Sequence, residues 1–295
     1  MKQLTFVIIG GKPTAQTKDL LSEISKQGHI GIPVRMKDVI FLFEQGKFHA
    51  RYRDFEITTG DIFLFRGGYR TVKPAVSTLA NYLAFMGKTL VNDNLGNTGF
   101  FGDKVFQANR LAQENIPHPR TMQALSLRDV PNIANALGFP IIAKPMSGSK
   151  GFGIMKFDSK EKVVTFLRKN NNNRKYFLQE YIPIDGDFRI FVVGSRVIAG
   201  MKRHVLKGDF RSNASLGARA SKIALSDSLK KLSLKSAKAM DFEVAGVDII
   251  ERGKELLVLE VNSAPQWKKL KEITGANPAK EIVHYALQKY LKDKA

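Results

Sequence analysis

Two short apolar runs, Gly246-Val247-Asp248-Ile249-Ile250 and Leu257-Val258-Leu259-Glu260-Val261-Asn262, each place an acid where a buried strand would carry a hydrocarbon. Their aliphatic and β-branched content, and the turn residues Arg252-Gly253-Lys254 between them, predict two strands of one sheet. Period-2 alternation puts Glu260 and Asn262 on one face, with Asp248 projecting from the partner strand. A buried carboxylate left unpaired is expensive, so two readings stand open. The acids are paired with some of the 47 lysines and arginines, or Asp, Glu and Asn oxygens gather around a hard cation. Magnesium keeps waters and shares itself with substrate phosphates, so three protein oxygens suffice for it.

The rest of the composition narrows the class. A chain of 295 residues, 43% hydrophobic, can build two or three small lobes and is expected to act as one enzyme-sized unit. It has no cysteine, which removes disulfides, thiolate metal sites and a cysteine nucleophile. The N-terminal run MKQLTFVIIGG is too short for a signal segment or a membrane span and is expected to be a first strand. A cytoplasmic location without membrane attachment is the expectation. The 47 basic against 27 acidic residues leave a formal charge of +20, which suits nucleic acid, an anionic membrane or an acidic substrate, and equally a solvated basic surface. The excess is spread out, with moderate concentrations in Lys222 to Lys238 and Lys268 to Lys294.

Strand-like and helical patterns alternate along the chain, which predicts an α/β fold built of α+β lobes. Strands are expected at Leu4 to Ile9, Ile62 to Phe65 and Thr89 to Val91, with a hairpin over Val39 to Phe43 and Phe48 to Tyr52. Helices are expected up to Gly28 and from Pro74 to Met86. The polar, Gly-rich stretch from Asn92 to Gly102 is the best lobe boundary. A middle section then carries a helix from Asp103 to about Asn115, a strand near Thr121, a helix ending at Gly138, and strands at Pro140 to Lys144 and Ile154 to Phe157. Beyond the polar Asn170 to Asn173 come strands at 176–181, 188–193 and 196–203, a polar loop over 205–221, a helix from Asp227 to Met240, the two acid-bearing strands and a terminal helix from Pro278. Lobes over 1–97, 98–175 and 176–295 follow.

Three further segments carry candidate chemistry. The loop Ser147-Gly148-Ser149-Lys150-Gly151-Phe152-Gly153 lies between two strands, which argues against Rossmann and P-loop fingerprints, since both need a helix at once. A hairpin closing over phosphates and an ordinary flexible turn both remain open. Lys144 shares a face with Ile142, and an inward lysine calls for an anion unless it snorkels at the strand end. The run Phe177-Leu178-Gln179-Glu180-Tyr181-Ile182-Pro183 is a strand turning polar, whose main-chain groups could meet an adenine edge. Arg203 and Gly208-Asp209-Phe210-Arg211-Ser212-Asn213 follow in the same lobe, and arginine forks suit phosphate or a tetrahedral oxyanion.

Taken in order, these blocks resemble the ATP-grasp superfamily, and most closely its RimK-type branch of glutamate ligases. The resemblance covers about two-thirds of the chain from Asp103, and rests on Gln179-Glu180-Tyr181-Ile182, Gly208 to Asn213, Val244 to Ile249 and Glu260-Val261-Asn262. It implies an ATP-grasp fold preceded by an N-terminal α/β lobe, and ATP-dependent joining of a carboxylate to an amine through an acylphosphate. Lys104 and Lys144 would contact phosphates, with Gly151 in the hairpin closing over them. Glu180 and Tyr181 would form the adenine hinge, and Asp187 would reach the ribose. Arg211, Ser212 and Asn213 would lie beside the nucleotide, Arg203 and Arg211 would act on the intermediate, and Asp248, Glu260 and Asn262 would hold Mg²⁺, with Mn²⁺ as an alternative. The implied partners are ATP, an amino acid such as glutamate and an acidic protein, peptide or small-molecule acceptor, with a homo-oligomer in keeping.

After Asn262 the chain departs from the family pattern. Ser263-Ala264-Pro265-Gln266-Trp267-Lys268-Lys269 is expected to set a lone tryptophan and two lysines at the mouth of the site. The +20 charge also leaves a second reading, a non-catalytic basic ATP-grasp protein associating with nucleic acid or the ribosome, although no recognised nucleic-acid-binding signature is present.

Overall fold

The computed structural model describes residues 2–44, 46–68, 71–92, 104–146, 153–169, 175–205 and 219–295. In chain order, the first part comprises β1 (Thr5–Gly10), α1 (Ala15–Lys26), β2 (Ile30–Arg35), β3 (Ile40–Glu44), β4 (Lys47–Tyr52), β5 (Phe55–Glu56), β6 (Ile62–Phe65), α2 (Lys73–Phe85) and β7 (Thr89–Val91). Strands β2-β1-β6-β7 form a parallel sheet in that order, and β3-β4-β5 an antiparallel one. The middle part holds α3 (Lys104–Gln113), β8 (Thr121–Met122), α4 (Val130–Leu137), β9 (Ile141–Pro145), β10 (Met155–Phe157), α5 (Lys160–Lys169) and β11 (Tyr176–Glu180), with sheet order β10-β9-β11-β8. The last part holds β12 (Gly186–Val193), β13 (Arg196–His204), β14 (Ala220–Lys222), α6 (Asp227–Ala239), β15 (Val244–Arg252), β16 (Glu255–Asn262), α7 (Lys268–Thr274) and α8 (Pro278–Asp293), with sheet order β14-β13-β12-β15-β16.

Alternation along the strands decides how the sheets stack. Phe6 and Ile8 of β1, with Ile62 and Leu64 of β6, pack in one core with Phe191, Val193, Met201 and Val244 of the C-terminal sheet. Val7, Ile9, Phe63 and Phe65, one residue out of phase, face the opposite way into a core under α2 and the β3–β4 hairpin. The N-terminal and C-terminal parts are therefore two layers of one body. The middle sheet has its own core, built of Ile141, Ala143, Val130, Ala134, Val163, Leu167 and Leu178.

Two polar side chains fasten the layers. Asn92, at 1% exposure and φ 63°, accepts from the Glu243 and Val244 N–H groups at 2.8 and 2.9 Å and donates to the Ser263 carbonyl at 2.9 Å. Asparagine is among the few side chains that tolerate that backbone conformation. Trp267 is fully buried, edge-on to Phe191 at 6.0 Å, covered by the Arg66 guanidinium at 4.7 Å and donating Nε1–H to Asp19 at 3.0 Å. The tryptophan expected at the mouth of the site is instead an internal tie between α1, the end of β6 and the C-terminal sheet.

The expected lobe boundaries shift in two places. β11 pairs with β9 and β8, so it completes the middle sheet and does not open the C-terminal lobe at 176. α3 packs against the C-terminal sheet, since Leu111 and Ile116 lie in its core. Helices α5 and α7 and strand β2 were not expected. α5 shows only Val163 and Leu167 as buried contacts, and α7 only Leu270, amid charged residues. Among the described residues no helix is long and apolar enough to cross a membrane.

Replacing Trp267 by Ala removes the indole from both layers. A loss of about 3–5 kcal/mol, the usual cost of large aromatic truncation in a core, is expected in urea unfolding followed by circular dichroism.

Candidate active site

The face of the C-terminal sheet that carries Phe191 and Val193 toward the N-terminal layer continues, at the same parity of β12, into Arg189 and Asp187. Register places Arg189 beside Asp248 of β15, Asp187 beside Arg203 of β13, and Asp248 beside Glu260 of β16. The apolar face thus becomes a row of charges where the layers part.

These charges are closely matched. Arg189 grips Asp248 as a two-pronged fork, with Nε on Oδ1 and Nη2 on Oδ2 at 2.8 Å. Arg203 meets the same Oδ2 oxygen at 3.0 Å and holds both oxygens of Asp187, which is 1% exposed. Burial alone would raise the Asp248 pKa, but Arg189 and Arg203 hold it below the ordinary carboxylate value. Burial likewise works against the Arg203 cation, and Asp248 and Asp187 more than offset it, so its pKa stands above the ordinary one. Gly246 makes the fork geometrically feasible, because a Cβ there would sit 2.6 Å from the Pro265 side chain and 3.4 Å from that of Arg189.

Two lysines approach from other elements. Gln107 of α3 bonds both main-chain groups of Val261 on edge strand β16, at 3.0 and 3.1 Å. One helical turn earlier, Lys104 is thereby brought to Glu260 at 2.5 Å. Lys144, at the end of β9 in the middle sheet, donates to Gln179 at 2.5 Å. Burial and then the neighbouring Lys104 pull its pKa down to about 8, against the pull of Glu260, Asp248 and Asp187. Among these side chains four cations face three carboxylates, so the site has one positive charge in excess and a lysine ready to take an anion.

The other expected residues are placed differently. Glu180 receives the Arg120 N–H at 2.8 Å, the Arg120 guanidinium at 3.2 Å and Arg252 of the β15–β16 turn at 3.2 Å. Its side chain joins the middle sheet to the C-terminal sheet. The main-chain N–H groups of Glu180 and Tyr181 go to the Arg120 and Pro140 carbonyls at 3.0 and 3.2 Å. Tyr181 has the Lys156 ammonium 4.2 Å above its ring. Asp187 does not project toward a ribose, because its buried carboxylate is taken by Arg203. Asn262, opposite Gly246, lines the cavity described next. Gly151, Arg211, Ser212 and Asn213 lie outside the described residues. Arg189 was missed, although it has the same strand parity as Asp187 and stands amid apolar residues, which could have singled it out.

A cavity of about 820 Å³ opens between the layers, with Arg189, Arg203, Glu260 and Asn262 on one wall and the loops after β1 and β6 on the other. Its size suits a small-molecule substrate. Among the described residues no three His, Cys, Asp or Glu side chains cluster as a metal site.

With this geometry in view, residues 102–286 match the RimK-like ATP-grasp domain. The chain is also 30% identical over 286 residues to a probable alpha-L-glutamate ligase 1 of Shewanella oneidensis, covering 95% of this chain and 93% of that one. The chain belongs to the RimK-like ATP-grasp family. It is an ATP-grasp ligase, an enzyme that forms an amide bond at the expense of ATP. The fold of the ligase is shared with the ATP-grasp ligase PsnB in complex with a minimal precursor, Mg and ADP, at TM-score 0.72 and 17% identity over 97% of this chain and 98% of that one. It is shared also with a Chryseobacterium gregarium RiPP-associated ATP-grasp ligase bound to ADP and a leader and core peptide, at TM-score 0.73 and 14% identity over 97% of both chains.

Removing one partner of a buried ion network leaves the others uncompensated. Arg203→Met is expected to destabilise the ligase by about 3–5 kcal/mol, whereas Lys104→Met, whose partner Glu260 is 27% exposed, is expected to cost about 1 kcal/mol or less. Chemical denaturation of the two variants side by side checks the contrast.

Proposed function

We propose that the ligase uses ATP and Mg²⁺, or Mn²⁺ in its place, to convert a carboxylate into an acylphosphate with release of ADP, and that the amino group of L-glutamate or a similar amino acid then attacks the acyl carbon, displacing inorganic phosphate and forming an amide. The acceptor is an acidic protein, peptide or small molecule, and the reaction runs in the cytoplasm where ATP is supplied. The observation that carries this reading is the excess positive charge of the Lys104, Lys144, Arg189 and Arg203 group, in which burial first and Lys104 second pull the Lys144 pKa down to about 8. A phosphate chain relieves that strain in charge. The named glutamate ligase relative supports the amino acid, and the peptide-bound neighbours support a peptide acceptor.

The donor set suits a divalent cation. Asp248, Glu260 and Asn262 each offer a side-chain oxygen, and register brings them together on one face of adjacent strands, where a bound cation would share the two carboxylates with Arg189, Arg203 and Lys104. Mg²⁺ held there would neutralise the transferring phosphoryl oxygens. Lys104 and Lys144 bind phosphate from the side of α3 and the middle sheet. Arg203, fixed by Asp187, stabilises the oxyanion formed when the amine attacks, a role that the resemblance extends to Arg211. Glu180 and Tyr181 frame the adenine side, Glu180 by holding the two sheets together through Arg120 and Arg252. Gly151, Ser212 and Asn213 are assigned to the nucleotide on the resemblance alone.

Asp248→Asn and Glu260→Gln are each expected to lower turnover by roughly a hundredfold or more, the scale of losing one preorganised charge-stabilising group, as measured by ADP release with L-glutamate and a Glu-terminated peptide. Full activity in either variant removes the metal assignment. Nucleotide affinity should also depend on pH with a definite sign. The Lys144 pKa lies at about 8 in the free enzyme, and phosphate favours the protonated form, so binding should take up roughly half a proton near that pH. Affinity should weaken as pH rises through this value and be flat well below it. Calorimetry in buffers of different ionisation enthalpy reads the uptake, and Lys144→Met should abolish it.

A further inference from the structure

In the parallel sheet β2-β1-β6-β7, the chain leaves β1 toward β2 on one side and later returns to place β6 on the other. The carboxyl ends of β1 and β6 are therefore a topological switch point, the place where open α/β sheets form a ligand crevice. Here that crevice is the far wall of the cavity that meets Glu260 and Asn262.

The crevice is lined by backbone at its floor and by donors at its rim. Gly68, at φ 84°, would carry a Cβ 2.7 Å from the Gly11 nitrogen, so the two loops touch main chain to main chain. Above them α1 begins, with Thr14 and Thr17 capping each other reciprocally. That box serves Thr17 and leaves the Ala15 and Gln16 N–H groups as helix N-terminal donors. Gln16 lines the cavity, and its Nε2 is buried with no acceptor among the described residues. Lys12 and Lys268 border the same space without an ion-pair partner among the described residues, while Glu272 on that rim is taken by Lys269 at 3.4 Å. The Gln16 Nε2, the first-turn N–H groups and the two lysines are all donors or cations, and a planar anion with two acceptor oxygens can engage them together.

We propose that this crevice is a carboxylate-binding subsite, in which Lys12, Gln16 and the first-turn N–H groups of α1 hold the non-reacting carboxylate of the ligase's substrate while its reacting end faces Glu260 and Asn262. The inference rests on the ligase reading given above. It assigns substrate selection to the N-terminal layer, whose position over the site Trp267 and Asn92 fix. The carboxylate can belong to the incoming amino acid or to the acceptor, and the two sources are separable.

The test titrates the full chain, loaded with ADP and Mg²⁺, with L-glutamate, with a tetraglutamate peptide and with the fully amidated form of that peptide, using calorimetry. Lys12→Met and Gln16→Leu, both with unchanged melting curves, are expected to weaken the carboxylate probes by at least about tenfold while ADP affinity stays within about twofold. The amidated peptide should bind weakly to the wild type and lose nothing further in the variants. A loss confined to L-glutamate assigns the subsite to the amino acid, and one confined to the peptide assigns it to the acceptor. Equal affinity of the carboxylate probes for wild type and variants overturns the subsite. So does a wild type that binds ADP and none of the probes, an outcome that leaves the ligase reading standing. A wild type that binds no nucleotide overturns that reading itself, and the subsite with it.

Discussion

The Asp248 carboxylate, clamped between Arg189 and Arg203, is the interaction on which the site depends. Both arginines are held by neighbouring strands, and Arg203 is committed in turn to Asp187 at 1% exposure. In such a setting each charge is tolerable only because the others are in place. The network gives a rigid, charged floor beside the apolar core that the two layers share. Charges fixed by one another in this way are what electrostatic preorganisation requires.

The layering places chemistry at the boundary of three sheets. The N-terminal and C-terminal sheets share one core, tied by Asn92 and Trp267, and part only where the apolar face of β12 gives way to Arg189 and Asp187. The middle sheet keeps its own core, and the Glu180–Arg252 ion pair joins it to this body. A nucleotide between the middle and C-terminal sheets would thus meet Lys144 from one body and Lys104 and Glu260 from the other. Substrate carboxylates would meet the same floor from the N-terminal side.

Much of the fold was legible in the chain. The strand pair ending in Glu260-Val261-Asn262, the parallel strands Leu4 to Ile9 and Ile62 to Phe65, and the helices stopped by Gly28, Gly87 and Gly138 were all found where apolar periodicity and turn residues placed them. α5 and α7 were hidden because each buries only one or two hydrophobic side chains among charged ones. The site was legible in its residue types and less so in its partners. Asp248 and Glu260 stood out as acids in apolar strands, but which of 47 cations would meet them depends on register between β12, β13, β15 and β16, and no local pattern encodes that.

The sequence by itself determined the family, the chemistry on offer and the strands that carry it, because periodicity, turn residues and acid-bearing strands are local properties. Only the tertiary structure decided that Trp267 is an internal tie, that Glu180 joins two sheets, that Asp187 is sealed under Arg203 and that Arg189 completes the site. Each of these outcomes turns on which distant segment lies opposite a side chain, and that is settled by sheet register and layer packing across up to 248 residues of chain, as between Trp267 and Asp19.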